Sequence, residues 1–90
     1  MQNIFKIILQ TKDKYNSSIV FDSRLIKKND IFIGIRSNNR DGSFFALDAI
    51  KKGAVFAIID NNTVTHENVI NIKDVQLFIK KFTKLLLSLY

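Results

Sequence analysis

Two apolar runs, "IFIGI" at 31–35 and "AVFAII" at 54–59, constrain this chain more than anything else in it. Both are rich in β-branched and aromatic residues, and neither alternates with polar residues. Such runs are the mark of strands buried on both faces, which in turn need helices on both sides of a sheet. Between them "FFALDAIKK" has apolar positions 45, 46, 49 and 50 on one helical face, and Gly53 follows where a helix C-terminal glycine belongs. The segment from Ile31 to Ile59 therefore predicts a strand–helix–strand crossover joining two parallel strands.

The flanking segments extend the same plan. "NIFKIILQ" predicts a short helix with Asn3 as N-cap, and "TKDKYNSS" a polar connection. "IVF" at 19–21 predicts a strand ending abruptly in Asp22-Ser23-Arg24. "KKND" predicts a turn, with Asn29 tolerating the left-handed conformation that turns need. "RSNNRDG" reads as a loop by composition. Gly42 is expected to allow a positive φ and Ser43 to cap the central helix. "VINI" at 69–72 predicts a fourth strand. Asp74 predicts the cap of a last helix, whose apolar positions 75, 78, 79, 82, 85, 86 and 89 share one face. The expected fold is a single small α/β domain over residues 1–90, with about four strands in one sheet flanked by about three helices.

Composition narrows the chemistry. There is no cysteine, which excludes disulfides and thiolate metal sites and fits a reducing cytoplasm. His66 is the only histidine and has no ligand-spaced partners, so no metal site and no Ser-His-Asp arrangement are expected. Neither a G-x-x-x-x-G-K-[ST] loop nor a G-x-G-x-x-G fingerprint occurs. No apolar stretch reaches the ~20 residues needed to cross a bilayer, and no membrane association is expected. The net charge of +6 raises a nucleic-acid partner. The lysines are nevertheless scattered from Lys6 to Lys84 with no aromatic-interleaved stripe, which argues against one.

The polar residues between the strands are the candidate site. Asp22-Ser23-Arg24 offers a hydroxyl and a guanidinium suited to phosphate or carboxylate oxygens. The alternative is a strand-end cap with a structural ion pair from Arg24 to Asp30 or Asp41. Asn38, Asn39 and Arg40 offer amide and guanidinium donors, or simply a solvated loop. The "RSNNRDG" loop is expected at the carboxyl end of a strand beside a helix N-terminus, where α/β sheets bind ligands.

Taken in order, "DSRLIKKNDIFIGI…DGSFFALDAIKKGAVFAIID" resembles the N-terminal domain of the Mur ligases, ATP-dependent enzymes of the peptidoglycan precursor. The resemblance runs from Val20 to about Asp60. It is strongest to the members that add the third residue or the D-alanyl-D-alanine dipeptide to UDP-N-acetylmuramoyl-peptides. It implies that this domain holds the UDP end of such a substrate, with Phe21 against the uracil, Ser23 and Arg24 on the nucleotide, and Asn38, Asn39 and Arg40 in the loop that reaches it. Asn29, Asp41, Gly42, Ser43 and Gly53 would serve as turn and cap residues. Asn29 stands where the family has a turn glycine, Ser37 where it has a glycine after the strand, and Ser43 where it has a histidine. The resemblance further implies that ATP, Mg and the chemistry belong to central and C-terminal domains outside these 90 residues, so that this chain carries no catalytic residue and no cofactor of its own. The competing expectation is a standalone basic α/β interaction or nucleic-acid-binding domain.

Overall fold

The computed structural model describes residues 3–37 and 39–88. Its main sheet has four strands, all parallel: β1 (Ile19–Val20), β2 (Ile31–Ile33), β5 (Phe56–Ile59) and β6 (Val69–Asn71), in the order β1-β2-β5-β6. Three helices flank it, α1 (Ile4–Tyr15), α2 (Ala46–Lys51) and α3 (Val75–Ser88). The predicted α/β class and crossover are therefore present, with β2 and β5 neighbours in register Ile31 to Phe56 through Ile33 to Ile58.

Alternation along these strands builds two cores. Ile31, Ile33, Phe56 and Ile58 face Ile8 of α1 and Val75, Phe78 and Phe82 of α3. Three rings stack there, with Phe5 5.0 Å from Phe78 and 5.7 Å from Phe82 between centroids. On the opposite face Phe32, Ala57 and Ile59 meet Ala46 and Ala49 of α2. Three alanines, all fully buried, leave room for the short α2 to lie close on the sheet.

Several local signals act as the sequence predicts. Asn3 caps α1, Asp74 caps α3 through a bond from the Leu77 N–H, Asn29 has φ 71°, and Gly53 has φ 116° after the α2 C-terminus. Others need correction. The first helix continues through the expected polar connection to Tyr15. Lys12 and Lys14 lie in its last turn, where the dipole favours cations, and Asn16 ends it in the left-handed region. The strand expected to reach Phe21 stops at Val20. Ser43 does not cap the central helix: the Asp41 carboxylate accepts the Ser43 N–H at 2.9 Å and caps a 3-10 turn, Gly42–Phe45, that leads into α2. Gly42 does not have positive φ; among the described glycines only Gly53 does.

The segment expected to be a loop contains a small antiparallel hairpin, β3 (Arg36–Ser37) and β4 (Arg40–Asp41). Its root explains Gly42. A Cβ on Gly42 would stand 2.6 Å from the Ile35 N, and one on Gly34 would stand 2.7 Å from the Gly42 carbonyl carbon. The two segments pack backbone against backbone, joined by the Gly42 N–H donating to the Ile35 carbonyl at 2.9 Å. Among the described residues no helix is long and apolar enough to cross a membrane.

Candidate functional site

Beyond the carboxyl ends of β1 and β2 the chain turns twice, and the two turns face each other. The first is Phe21-Asp22 followed by a 3-10 turn, Ser23–Leu25; the second is the β3–β4 hairpin. They enclose a cleft of about 290 Å³ lined by Phe21, Ser23, Arg24, Ser37, Arg40 and Phe45, with Asp22, Ile35 and Gly42 completing it. This lies at the low end of the ~300–1,000 Å³ typical of small-molecule sites. Residues far apart in the chain, the Asp-Ser-Arg turn and Arg40, thus meet at one rim of the sheet.

Each predicted residue has a definite place. Phe21 leaves half its surface exposed, presenting a ring to the cleft. Ser23 is only 5% exposed, and its hydroxyl lies against the Asp48 carboxylate of α2, which Lys52 first and then Ser23 hold below its usual range. Arg24 is paired with neither Asp30 nor Asp41. It forks onto Asp22, Nη2 to Oδ2 at 2.7 Å and Nε to Oδ1 at 3.0 Å. Asp22 also accepts the Arg24 N–H, a two-residue Asx turn that brings the side chains together before any distant carboxylate competes. This partner holds the Asp22 carboxyl down at about 2. Asp30 is instead buried and bonds the N–H groups of Ser18 and Lys27, fixing the entry to β1 and the turn before β2.

Arg40 lies over the Phe45 ring at 5.9 Å and makes no ion pair among the described residues. With Arg24 neutralised by Asp22, Arg40 is the unmatched cation of the cleft. Asn39 is exposed on the hairpin tip and does not line the cleft; Asn38 lies outside the described residues.

Two contributors escaped the sequence reading. The helical spacing places Phe45 only on a helix face, yet it forms a wall of the cleft and seats Arg40. Arg36 falls in the segment whose composition predicts a loop. Its Nε donates to Asp60 Oδ1 at 2.9 Å and its Nη2 lies 3.5 Å from Asp41 Oδ2. Burial alone would raise the Asp41 carboxyl pKa. Bonds from the Ser43 N–H and Asn61, with the Arg36 charge, outweigh it and hold the group below its usual range. His66 is exposed, and its Nδ1 accepts the Asn68 N–H. No cluster of three or more metal-ligating side chains occurs among the described residues.

No protein-family model matches the chain. It is 37% identical over 75 residues to the UDP-N-acetylmuramoyl-L-alanyl-D-glutamate--2,6-diaminopimelate ligase of Rickettsia montanensis, a match covering 82% of this chain and 15% of that protein. The ligase of the same name from Rickettsia conorii is 45% identical over 56 residues, 61% of this chain and 12% of its own length. The chain therefore spans about a seventh of the first of these relatives, or 15%. In fold it matches a MurF ligase from Thermotoga maritima, solved in complex with ADP, at a TM-score of 0.73 over 100% of this chain and 19% of that one, with 18% identity. The chain's sequence relatives are thus Mur ligases, and its fold is found in a Mur ligase: it is a homologue of these enzymes and fits the N-terminal domain of a Mur ligase.

Proposed function

We propose that this domain seats the UDP end of a UDP-N-acetylmuramoyl-peptide for an ATP-dependent, amide-forming ligase. The observation that carries the reading is the convergence of Phe21, Ser23, Ser37 and Arg40 on one cleft. It is supported by similarity to ligases whose names contain UDP-N-acetylmuramoyl-L-alanyl-D-glutamate. The half-exposed Phe21 ring offers a face for the uracil. Ser23 supplies a hydroxyl, and Arg40 supplies the charge for the diphosphate. Arg24 is already forked by Asp22, so its part is to hold the turn rather than to bind first. A cleft of about 290 Å³ takes a nucleoside and its first phosphate, so the sugar and peptide extend beyond it.

In the whole ligase the reaction would run from a muramoyl-peptide carboxylate through an acyl phosphate to attack by an amine. ATP and Mg would be held by a central domain, in the cytoplasm. Binding energy gained here, far from the reacting carbonyl, would position the substrate for that step. The sequence relatives favour diaminopimelate as the incoming amine.

Calorimetric titration of the 90-residue chain with UDP-N-acetylmuramoyl-L-alanyl-D-glutamate tests the reading. Saturable binding competed by UDP is expected. Absence of that binding, together with a steeply salt-dependent response to single-stranded oligonucleotides, would replace it with the basic-surface alternative.

A further inference from the structure

The hairpin's two faces have different chemistry. Successive strand residues alternate sides, and the register pairs Ser37 with Arg40 and Arg36 with Asp41. Ser37 and Arg40 line the cleft. Arg36 lies on the other side, in a polar hollow of about 350 Å³ shared with Asp60 and Asn71.

On that side Arg36 is tied at both ends. Its guanidinium bonds the Asp60 carboxylate at 2.9 Å and the Asp60 carbonyl at 3.1 Å, and it approaches Asp41 at 3.5 Å. Its own carbonyl accepts from the Gln76 side chain at 2.9 Å. Asp60, just past β5, accepts the Val75 N–H at the start of α3 with its other oxygen. Asp41 is braced in turn by Asn61 at 3.1 Å. One cation thus joins the hairpin to the end of a core strand and to the first turn of α3.

A hairpin with two register pairs has little stability of its own. Polar strands also specify register weakly, and a one-residue slip would turn Ser37 and Arg40 away from the cleft. The Gly34–Gly42 contact holds the hairpin's root, but among the described residues the Ser37 and Arg40 side chains make no hydrogen bond or ion pair that would hold the cleft face in place. We infer that Arg36 is a positioning residue: by bridging Asp41 and Asp60 it locks the hairpin register that presents Ser37 and Arg40 to the cleft. It thereby sets nucleotide affinity without touching the nucleotide. The affinity part rests on the reading of the cleft as the UDP seat; the lock itself does not.

The test compares the 90-residue chain with its Arg36→Gln and Arg36→Lys variants by UDP calorimetry, thermal melting and amide hydrogen exchange at Gly42 and Ser43. These two N–H groups bond Ile35 and Asp41. In Arg36→Gln, UDP binding is expected to weaken about tenfold and exchange at both amides to quicken about tenfold, while the melting temperature moves by only a few degrees, as for a loosened supporting shell. Arg36→Lys is expected to recover part of both, since an ammonium can lie between the carboxylates but cannot fork. Unchanged exchange in Arg36→Gln would overturn the lock whatever the affinity does, and so would a loss of binding matched by a general loss of stability. If the parent chain binds no UDP, the reading of the cleft falls and the exchange data alone decide the lock.

Discussion

Replacing Gly42 by alanine tests the contact that seats the hairpin. The new Cβ would stand 2.6 Å from the Ile35 N, 2.8 Å from the Ile35 O and 3.0 Å from the Gly34 carbonyl carbon. All three are backbone atoms, so no rotamer change relieves the clash and one segment must move. Overpacking of this kind costs about 1–3 kcal/mol. Separating the segments also weakens the 2.9 Å bond from the Gly42 N–H to Ile35, a net loss of about 0.5–1.5 kcal/mol. The narrower unfolded ensemble of alanine returns about 0.4–1 kcal/mol. The balance is a destabilisation of about 2 kcal/mol, or roughly 10 °C in melting temperature for a domain of this size. Because Gly42 has no positive φ, the effect is assigned to the contact rather than to backbone strain. Urea unfolding followed by circular dichroism measures it. A Gly42→Ala unfolding free energy within about 0.5 kcal/mol of the parent's would refute the close-approach argument.

Further outcomes follow from the same geometry. In a carboxyl NMR titration Asp22 is expected to titrate near 2, and higher in Arg24→Ala, which removes the side-chain fork but keeps the bond from the backbone N–H of residue 24; because the folded-state value is the lower one, the pair's stabilisation is present above about pH 4 and lost as pH falls toward 2. A pair that titrates alike in both proteins would mean that the fork is not formed in solution. Ser43 is fully buried, and its Oγ has no partner at hydrogen-bond distance among the described residues, although the Asp41 carboxylate lies close by, so Ser43→Ala is expected to change stability by no more than about 1 kcal/mol in urea unfolding; a larger loss would reveal a bond from the hydroxyl to Asp41. Ile58→Ala, fully buried in a central strand, is expected to cost about 2–5 kcal/mol, and a smaller loss would place it outside the core. In UDP titrations Arg40→Ala is expected to weaken binding more than Arg24→Ala, and the reverse order would contradict the pairing of Arg24 with Asp22.

The framework was legible because its signals are local. Uninterrupted β-branched runs announce covered strands, and Asn29, Gly53 and Asp74 act through their own backbone or the next turn. The hairpin was not legible, since Arg36-Ser37 and Arg40-Asp41 carry no apolar alternation and owe their pairing to what lies on either side. Gly34 and Gly42 look like a strand glycine and a turn glycine, yet their requirement is a contact eight residues away in the chain. The bond from Arg36 to Asp60 spans 24 residues, and no pattern in the intervening sequence marks it. For Arg24 the sequence points to Asp30 or Asp41, and the structure gives neither: the Asx turn brings its guanidinium to Asp22, two residues away. The candidate cleft was legible in part: Phe21, Ser23, Arg24 and Arg40 meet, Asn39 stands outside, and Phe45 joins them.

These features divide the work between a rigid sheet and two turns. The sheet fixes where β1 and β2 end; the Asp22–Arg24 fork and the Arg36 cluster fix how the turns face each other. Backbone amide shifts of the isotopically labelled chain, followed during addition of UDP, test this most directly. Shifts concentrated at Phe21–Arg24, Ser37, Arg40 and Phe45 are predicted. Shifts concentrated instead around Asp60, Asn71 and Lys73 on the other side of the hairpin, with the first group unmoved, would contradict it.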